Sequence, residues 1–532
     1  MFANDAANGL PPHEITLADL LKEEGYDTKI VGKWHLGHRD EYLPTAGGGF
    51  DEWFGIPYHM SGGSVDEHLC GSNGDATNSW LPLYEGTDIV EQPVRLSGLG
   101  PRYAEEAREF VRRDRASGGE RGGGREGAGG SERERRPFFL YLAFSHVHQL
   151  CSPRVSECQW ASSHFSKNGY HAPFSGAVRE MDWIAGEVLQ ALRDEGIEDD
   201  TLVLFTSDNG PWVAESSCSG SKGKFEGRWL RDNVDPECTA CPSEYEPRPA
   251  PGRPRRCVYP IAGGGGGTMT RNEEDSYEEH YEVDGVPCGE DSGLGSAWEA
   301  NVRVPAAVRW PNGGIPEGVE TSRLVTTLDV VPTIMSLLGR DEILEEVDGV
   351  DVSSMLFGAK ARSAAADASD DGNDARANGD GLDDERPIFF WRDGFSSGPL
   401  PPPYGRFDVV AVKIGPIKAW LWTKSAHYNP DPEVHHDPPL LFDVRSDPAE
   451  AFPLDPADHA EIIDRALQAV RDHKKGVDWA EPLALARDPK YLPCYDESSG
   501  CRTPEAQEEG GGFRNETLMK GEGAVMATMT AR

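Results

Sequence analysis

The chain has 532 residues, enough for one large domain and a smaller one whose core needs no staples. Its formal net charge of −39 argues against nucleic acid or an anionic membrane as a partner, but a locally basic pocket on such a surface can still take an anionic substrate. Only 37% of the residues are hydrophobic, much of the shortfall falling in Gly-, Asp- and Arg-rich stretches, and no apolar run approaches the length of a membrane span.

The opening MFANDAANGLPPHEITL has neither a basic n-region nor an apolar h-region, so no signal peptide is read there. Ten cysteines and one glycosylation sequon, Asn515-Glu516-Thr517, nevertheless suit a secretory protein, and the combination is what a chain missing its beginning would show. Residues 15–25, ITLADLLKEEG, place apolar side chains at helical spacing and stop at Gly25. A short strand at Lys29–Val31 then runs into the loop KWHLGHRDEYLP. A helix at 103–114 dissolves into a Gly- and Arg-rich flexible insert at about 115–136. PFFLYLAF (137–144) is apolar on both faces, the mark of a buried strand in a parallel sheet. An amphipathic helix at about 176–195 leads to a second buried strand, 201–205, which ends at SDNG.

Buried strand, helix, buried strand is the rhythm of an α/β sandwich with a mostly parallel sheet. A long Cys-, Pro- and Gly-rich insertion occupies roughly 213–290, after which VRVPAAVRW (302–310) and the helix LDVVPTIMSLLG (328–339) resume the pattern. Residues 359–386 are acidic and read as a disordered linker. The four strand candidates PIFFW, FDVVAVKIG, IKAWLWT and LLFDV predict a small antiparallel sheet in a subdomain spanning 387–500, with a helix at about 458–474. Residues 501–532 read as a loose tail, and the sandwich domain spans 1–358.

In open α/β sheets ligands bind beyond the carboxyl ends of the strands. Three polar groups fall there: Lys33 and His35, His146 and His148, and Asp208 and Asn209. Each has an ordinary reading: a loop with a packed Trp, two satisfied histidines, and an Asp-Asn-Gly turn. Together on one sheet edge they suit hydrolysis of an anionic ester. The Asp and Asn oxygens match Ca²⁺ or Mg²⁺, and the lysine and histidines can neutralise a transferring sulfuryl or phosphoryl group or protonate its leaving oxygen. Composition does not choose between sulfate and phosphate.

ITLADLLKEEGYDTKIVGKWHLG followed by GGFDEWFGIPY resembles the signature of sulfatases of the arylsulfatase A and N-acetylgalactosamine-6-sulfatase type. FFLYLAFSHVH, EMDWIAGEVLQALRDEGIEDDTLVLFTSDNGPW, SAWEANVRVPAAVRWPNG, LVTTLDVVPTIMSLLG and KAWLWTKSAHYNPDP resemble later blocks of that family in the same order. The resemblance implies an alkaline-phosphatase-like fold and hydrolysis of sulfate esters through a cysteine-derived formylglycine. By position, Asp208 and Asn209 match ligands of a divalent cation, usually Ca²⁺. Lys33 and His35 match groups that contact the formylglycine hydrate or the sulfate, and His148 matches the histidine that binds sulfate and protonates the leaving group. His427, in KSAH, matches a place at the substrate mouth. A sulfated small molecule or glycan as partner and a lysosomal or extracellular location follow from the same likeness.

The family's C-x-P-S-R or C-x-P-x-R motif, with a first strand whose Asp-Asp pair completes the cation shell, belongs upstream of the helix beginning at about Ile15, where this chain has little sequence. The expectation is therefore a sulfatase that begins after its nucleophile, with a gap or exposed sheet edge near Lys29–Val31 or Leu202–Phe205. Cys151-Ser152-Pro153-Arg154 is no substitute, since Arg154 comes one residue too early and the segment follows the SHVH loop. Leu294 stands where the family typically has a sulfate-binding lysine, and Lys222 or Lys224 is a weak candidate to replace it. Cys238-x-x-Cys241 lacks a second pair spaced for zinc, so disulfides with Cys218, Cys257 or Cys288 are the better reading, and Cys494 with Cys501 would close a small loop. A non-catalytic relative that binds sulfated glycan and a phosphoesterase of the same superfamily are the competing readings.

Overall fold

The structure is a computed structural model. It describes residues 6–60, 81–113, 136–148, 159–166, 172–213, 219–234, 286–342, 347–357, 386–391, 408–424, 433–477 and 489–499, with short pieces at 64–65, 68–69, 238–240, 246–248, 256–258, 282–284, 501 and 527–530. The insert at 114–135, the linker at 359–385, Cys151–Arg154, His427 and the sequon at Asn515 lie outside these residues.

Helix α1 (Leu17–Glu23) starts where Thr16 and Asp19 cap each other: the Asp19 N–H donates to Thr16 Oγ1 (3.2 Å) and the Thr16 N–H to Asp19 Oδ2 (3.0 Å). It is followed by β1 (Asp27–Gly32), β2 (Glu52–Gly55), β3 (Leu83–Glu85) and β4 (Asp88–Glu91). Then come α2 (Leu99–Arg112), β5 (Phe138–Ala143), α3 (Phe174–Asp194), β6 (Thr201–Thr206), β7 (Ala306–Arg309) and α4 (Val330–Leu337). A second group holds β8 (Pro387–Trp391), β9 (Val409–Ile414), β10 (Ile417–Thr423), β11 (Val434–Asp443) and α5 (Ala460–Gly476), and β12 is Ala527–Thr530.

Among the described residues the central sheet has eight strands in the order β7-β6-β12-β5-β1-β2-β3-β4. β1 pairs in parallel with β2 and β5, whereas β7, β12, β3 and β4 pair antiparallel with their neighbours, so the sheet is mixed. Because strand side chains alternate between faces, adjacent residues divide between two cores. Val31, Leu140, Leu142 and Val203 meet α2 and α3 on one face. Ile30, Phe139 and Leu202 meet α1 and α4 on the other. This is the α/β sandwich expected from the apolar strands.

The expected gap is not present. β12 fills the place between β5 and β6, with Thr528 opposite Leu140 and Val203 and Met529 opposite Phe139 and Leu202. Two neighbouring interior strands cannot leave their backbone groups unpaired, and the run Ala527–Thr530, within what reads as a loose tail, supplies the partner.

β8 to β11 form a separate four-stranded antiparallel sheet. One face packs Val412, Ile414 and Leu441 against Ile463, Ala466 and Val470 of α5. The other packs Ala411, Trp420 and Phe442 against Leu230 and Trp298 of the sandwich. Two disulfides join described residues, Cys494–Cys501 as expected and Cys238–Cys288. No described helix is long and apolar enough to cross a membrane.

A buried charge network joins the two sheets. The Lys418 ammonium lies 3.1 Å from Glu299 Oε1 and 3.4 Å from Glu450 Oε1, and Lys413 lies 3.2 Å from Glu299 Oε2. Glu450 also accepts from the Glu299 N–H (2.8 Å) and the Trp420 indole (2.9 Å). Burial alone would raise the Glu299 carboxyl, but Lys418 and Lys413 hold it at about 2. Burial raises Glu450, with Lys418 opposing. Glu299→Gln leaves Lys418 buried without its main counter-charge and is expected to cost about 3–5 kcal/mol in urea unfolding at pH 7. Because the folded carboxyl sits below its ordinary range, its contribution is full above the unfolded pKa of 4.5 and fades as pH falls toward about 2. The gap between wild type and variant should therefore narrow on acidification; a gap that is constant from pH 7 to pH 3 would contradict this assignment.

Candidate functional site

The site lies at the carboxyl end of β1, between the ends of β5 and β2. Gly32 closes the strand at φ +116°, and a Cβ there would sit 1.9 Å from the Ala143 carbonyl oxygen, so the backbones approach as only glycine permits. Beyond it the Lys33 N–H still donates to Ala143 O (2.8 Å), while the Trp34 and His35 N–H groups switch to Ile56 O (3.0 Å) and Pro57 O (2.9 Å). Trp34 packs edge-on to Phe50 with its indole donating to Tyr42 O (2.8 Å), which anchors the loop between Lys33 and His35. His35 takes the left-handed backbone, φ 60°, a conformation that non-glycine residues hold mainly where surrounding structure imposes it.

Lys33 and His35 thus project beside a histidine that the sequence analysis did not single out. His59, following β2, stacks parallel on His148, with centroids 5.6 Å apart and planes 4° apart. His35 meets His59 edge-on at 5.8 Å. The available signal was positional: IPYH follows β2 as KWH follows β1. Burial pushes His59 well below the ordinary imidazole range, and His148, His35 and Lys33 push it the same way. Burial also lowers Lys33, with the Asp208 carboxylate opposing. Three imidazoles and an ammonium therefore converge, the arrangement that an incoming anion stabilises most.

His146 is not part of this group. It is fully buried, stacked on Trp160 at 4.1 Å, with its Nε2 3.3 Å from Glu180 Oε2. Glu180 also accepts from the Ser162 N–H (2.8 Å), and it lies against Gly100, where a Cβ would come within 2.4 Å of its Oε1. This pair, with the Tyr103 hydroxyl 3.1 Å from Ser145 Oγ, holds the turn that presents His148.

Asp208 and Asn209 follow β6 in a tight turn: Asp208 Oδ1 accepts from the Asn209 N–H (2.9 Å), and the Asn209 side-chain amide donates to Gly210 O (2.8 Å). These oxygens are of the kind a hard cation takes, but among the described residues no group of three His, Cys, Asp or Glu side chains forms a metal shell. The donor set fits calcium in kind and falls short in number. Leu294 abuts this turn, its N–H donating to Pro211 O (2.9 Å). Lys222 does not replace the lysine: its ammonium donates to Glu290 O (2.8 Å) and Ser292 Oγ (3.2 Å) and braces that loop. Of the residues selected from sequence, Lys33, His35 and His148 come together, Asp208 acts on Lys33 from the end of β6, Asn209 adjoins it, and His427 lies outside the described residues.

The family model for sulfatase matches residues 1–83 and 128–340, and the model for the C-terminal region of aryl-sulfatase matches residues 384–503. Arylsulfatase G of Mus musculus is 28% identical over 520 residues, covering 93% of this chain and 78% of that protein. The crystal structure of the PsFucS1 sulfatase from Pseudoalteromonas sp. has a TM-score of 0.55 at 18% identity, covering 92% of this chain and 77% of that one. The structure of Ps i-CgsB in complex with k-i-k-neocarrahexaose has a TM-score of 0.51 at 18% identity, covering 94% and 80%. These likenesses and the two-sheet architecture agree: the chain belongs to the sulfatase family, the sulfuric ester hydrolases with an alkaline-phosphatase-like fold.

Proposed function

We propose that the cluster of Lys33, His35 and His148 receives the sulfate group of a sulfated carbohydrate in a lysosomal or extracellular setting. The observation that carries this reading is the convergence of three imidazoles and an ammonium at one sheet edge. In this reading Lys33 and His35 bind the charged oxygens through donors that need no reorganisation. His148 in its protonated form donates to the ester oxygen as it leaves. His427, outside the described residues, is assigned a substrate contact by the family resemblance alone. An oligosaccharide-bound relative, Ps i-CgsB, supports the carbohydrate class.

Formylglycine would supply the family's nucleophile, but none of the ten cysteines stands in a C-x-P-x-R context. Leu294 in the place of a family lysine favours a second reading in which the same cluster binds sulfated glycan without turnover. Asp208 and Asn209 belong, in both readings, to a cation site for Ca²⁺ that is weak on these two residues alone.

Titration calorimetry with sodium sulfate should show binding that Lys33→Ala and His148→Ala each weaken about tenfold, the loss of one charge-assisted contact. The same chain should not hydrolyse p-nitrocatechol sulfate, because covalent catalysis needs the attacking group itself. Turnover that His148→Ala abolishes would show that another residue attacks. Calcium near its dissociation constant adds only about 0.4 kcal/mol, so the melting temperature should barely move. A tight, Asp208-dependent calcium isotherm would show that further ligands complete the shell.

A further inference from the structure

The stacked pair of imidazoles is where the anion site holds more than the family pattern selected. We propose that His59 is a third imidazole of this site, and that a tetrahedral oxyanion enters it together with one proton from solvent, taken up on the His59–His148 pair. The proposal rests on the reading of the cluster as an anion site.

The geometry places His59 at the centre of the group. Its ring lies parallel to His148 from the β5 side, at 5.6 Å, and edge-on to His35 from the β1 side, at 5.8 Å. Lys33, on the same β1 extension, adds a fixed positive charge that acts on His59. Tyr58 flanks the ring at 6.4 Å, with His38 behind it at 5.7 Å from the Tyr58 ring. The Asp208 carboxylate acts on Lys33.

Without a bound anion, burial and three neighbouring cationic or basic groups all disfavour a proton on His59. An oxyanion reverses the sign of the local field, so the protonated form becomes the favoured one. The proton passes from water to a ring nitrogen, one N–H bond forming as one O–H bond breaks, and it then donates to the bound anion. Binding and protonation are linked, so sulfate affinity must rise as pH falls.

The test is sulfate calorimetry on the full chain at pH 7 in two buffers of unlike ionisation heat, PIPES and Tris, with affinity also followed from pH 6.5 to 8. The heats should differ by the uptake of close to one proton, and affinity should fall roughly tenfold per pH unit. His59→Gln and His59→Asn, each checked for an unchanged melting transition, should bind sulfate with little uptake and a flattened pH slope. Sulfate binding that depends on Lys33 but brings no proton overturns the inference and leaves the anion site standing. Undiminished uptake in both His59 variants overturns it as well, by placing the proton on another group. No sulfate binding at all overturns both.

Discussion

Everything that gives this site its shape depends on how closely the chain passes Ala143 at the end of β1. Gly32 lets the strand run on against β5 with no room for a side chain, and the backbone of Lys33 keeps the pairing for one residue more. The next two N–H groups then change partners to the segment after β2. This exchange is a complete use of the backbone donors at a place where a loop would ordinarily lose them to water. It also fixes the direction of Lys33 and His35 without help from their side chains, while Trp34 between them is spent on the core. A polar site built this way is stiff, because the element that positions it is the centre of the sheet.

The second determinant is the separation of charge within an acidic molecule. The net charge of −39 coexists with a cluster in which His148, His35 and Lys33 all act on His59. Of the carboxylates near the site, Glu180 is taken up by His146 and Ser162, while Asp208 accepts within its own turn and acts on Lys33. Farther away, Glu299 and Glu450 are held with Lys418 between the two sheets. Desolvation offsets much of the Coulombic gain of such a network, so removing one partner costs more than the network itself contributes.

The elements that the sequence made legible are those with a strong period or an unbroken apolar run. β5 and β6 are within one residue of expectation because strands buried on both faces carry no polar interruption. The long strand β11 begins six residues before LLFDV, since its first half, VHHDPP, is mostly exposed and carries no apolar pattern. β2, β3 and β4 escaped because three- and four-residue strands offer too few positions for alternation to register. In the site, Lys33, His35 and His148 were marked by their place after strands that could be seen, and His59 was missed because its strand could not. Lys222 shows the converse: a lysine in a suggestive motif whose ammonium is consumed by backbone carbonyls, a fact of folding that spacing does not encode.

β12 has a bearing on how the molecule comes into being. The sheet's interior is joined by its most distal described strand, whose partners β5 and β6 belong to the first half of the chain. During synthesis those two strands leave the ribosome long before their partner does, and contacts this remote in sequence are the slowest to form. The nascent sandwich must therefore persist with an open seam through the making of the entire second sheet. Until the last strand arrives, the unpaired edges of β5 and β6 are templates for pairing with other chains, so this order of assembly carries an aggregation hazard that the finished sheet does not.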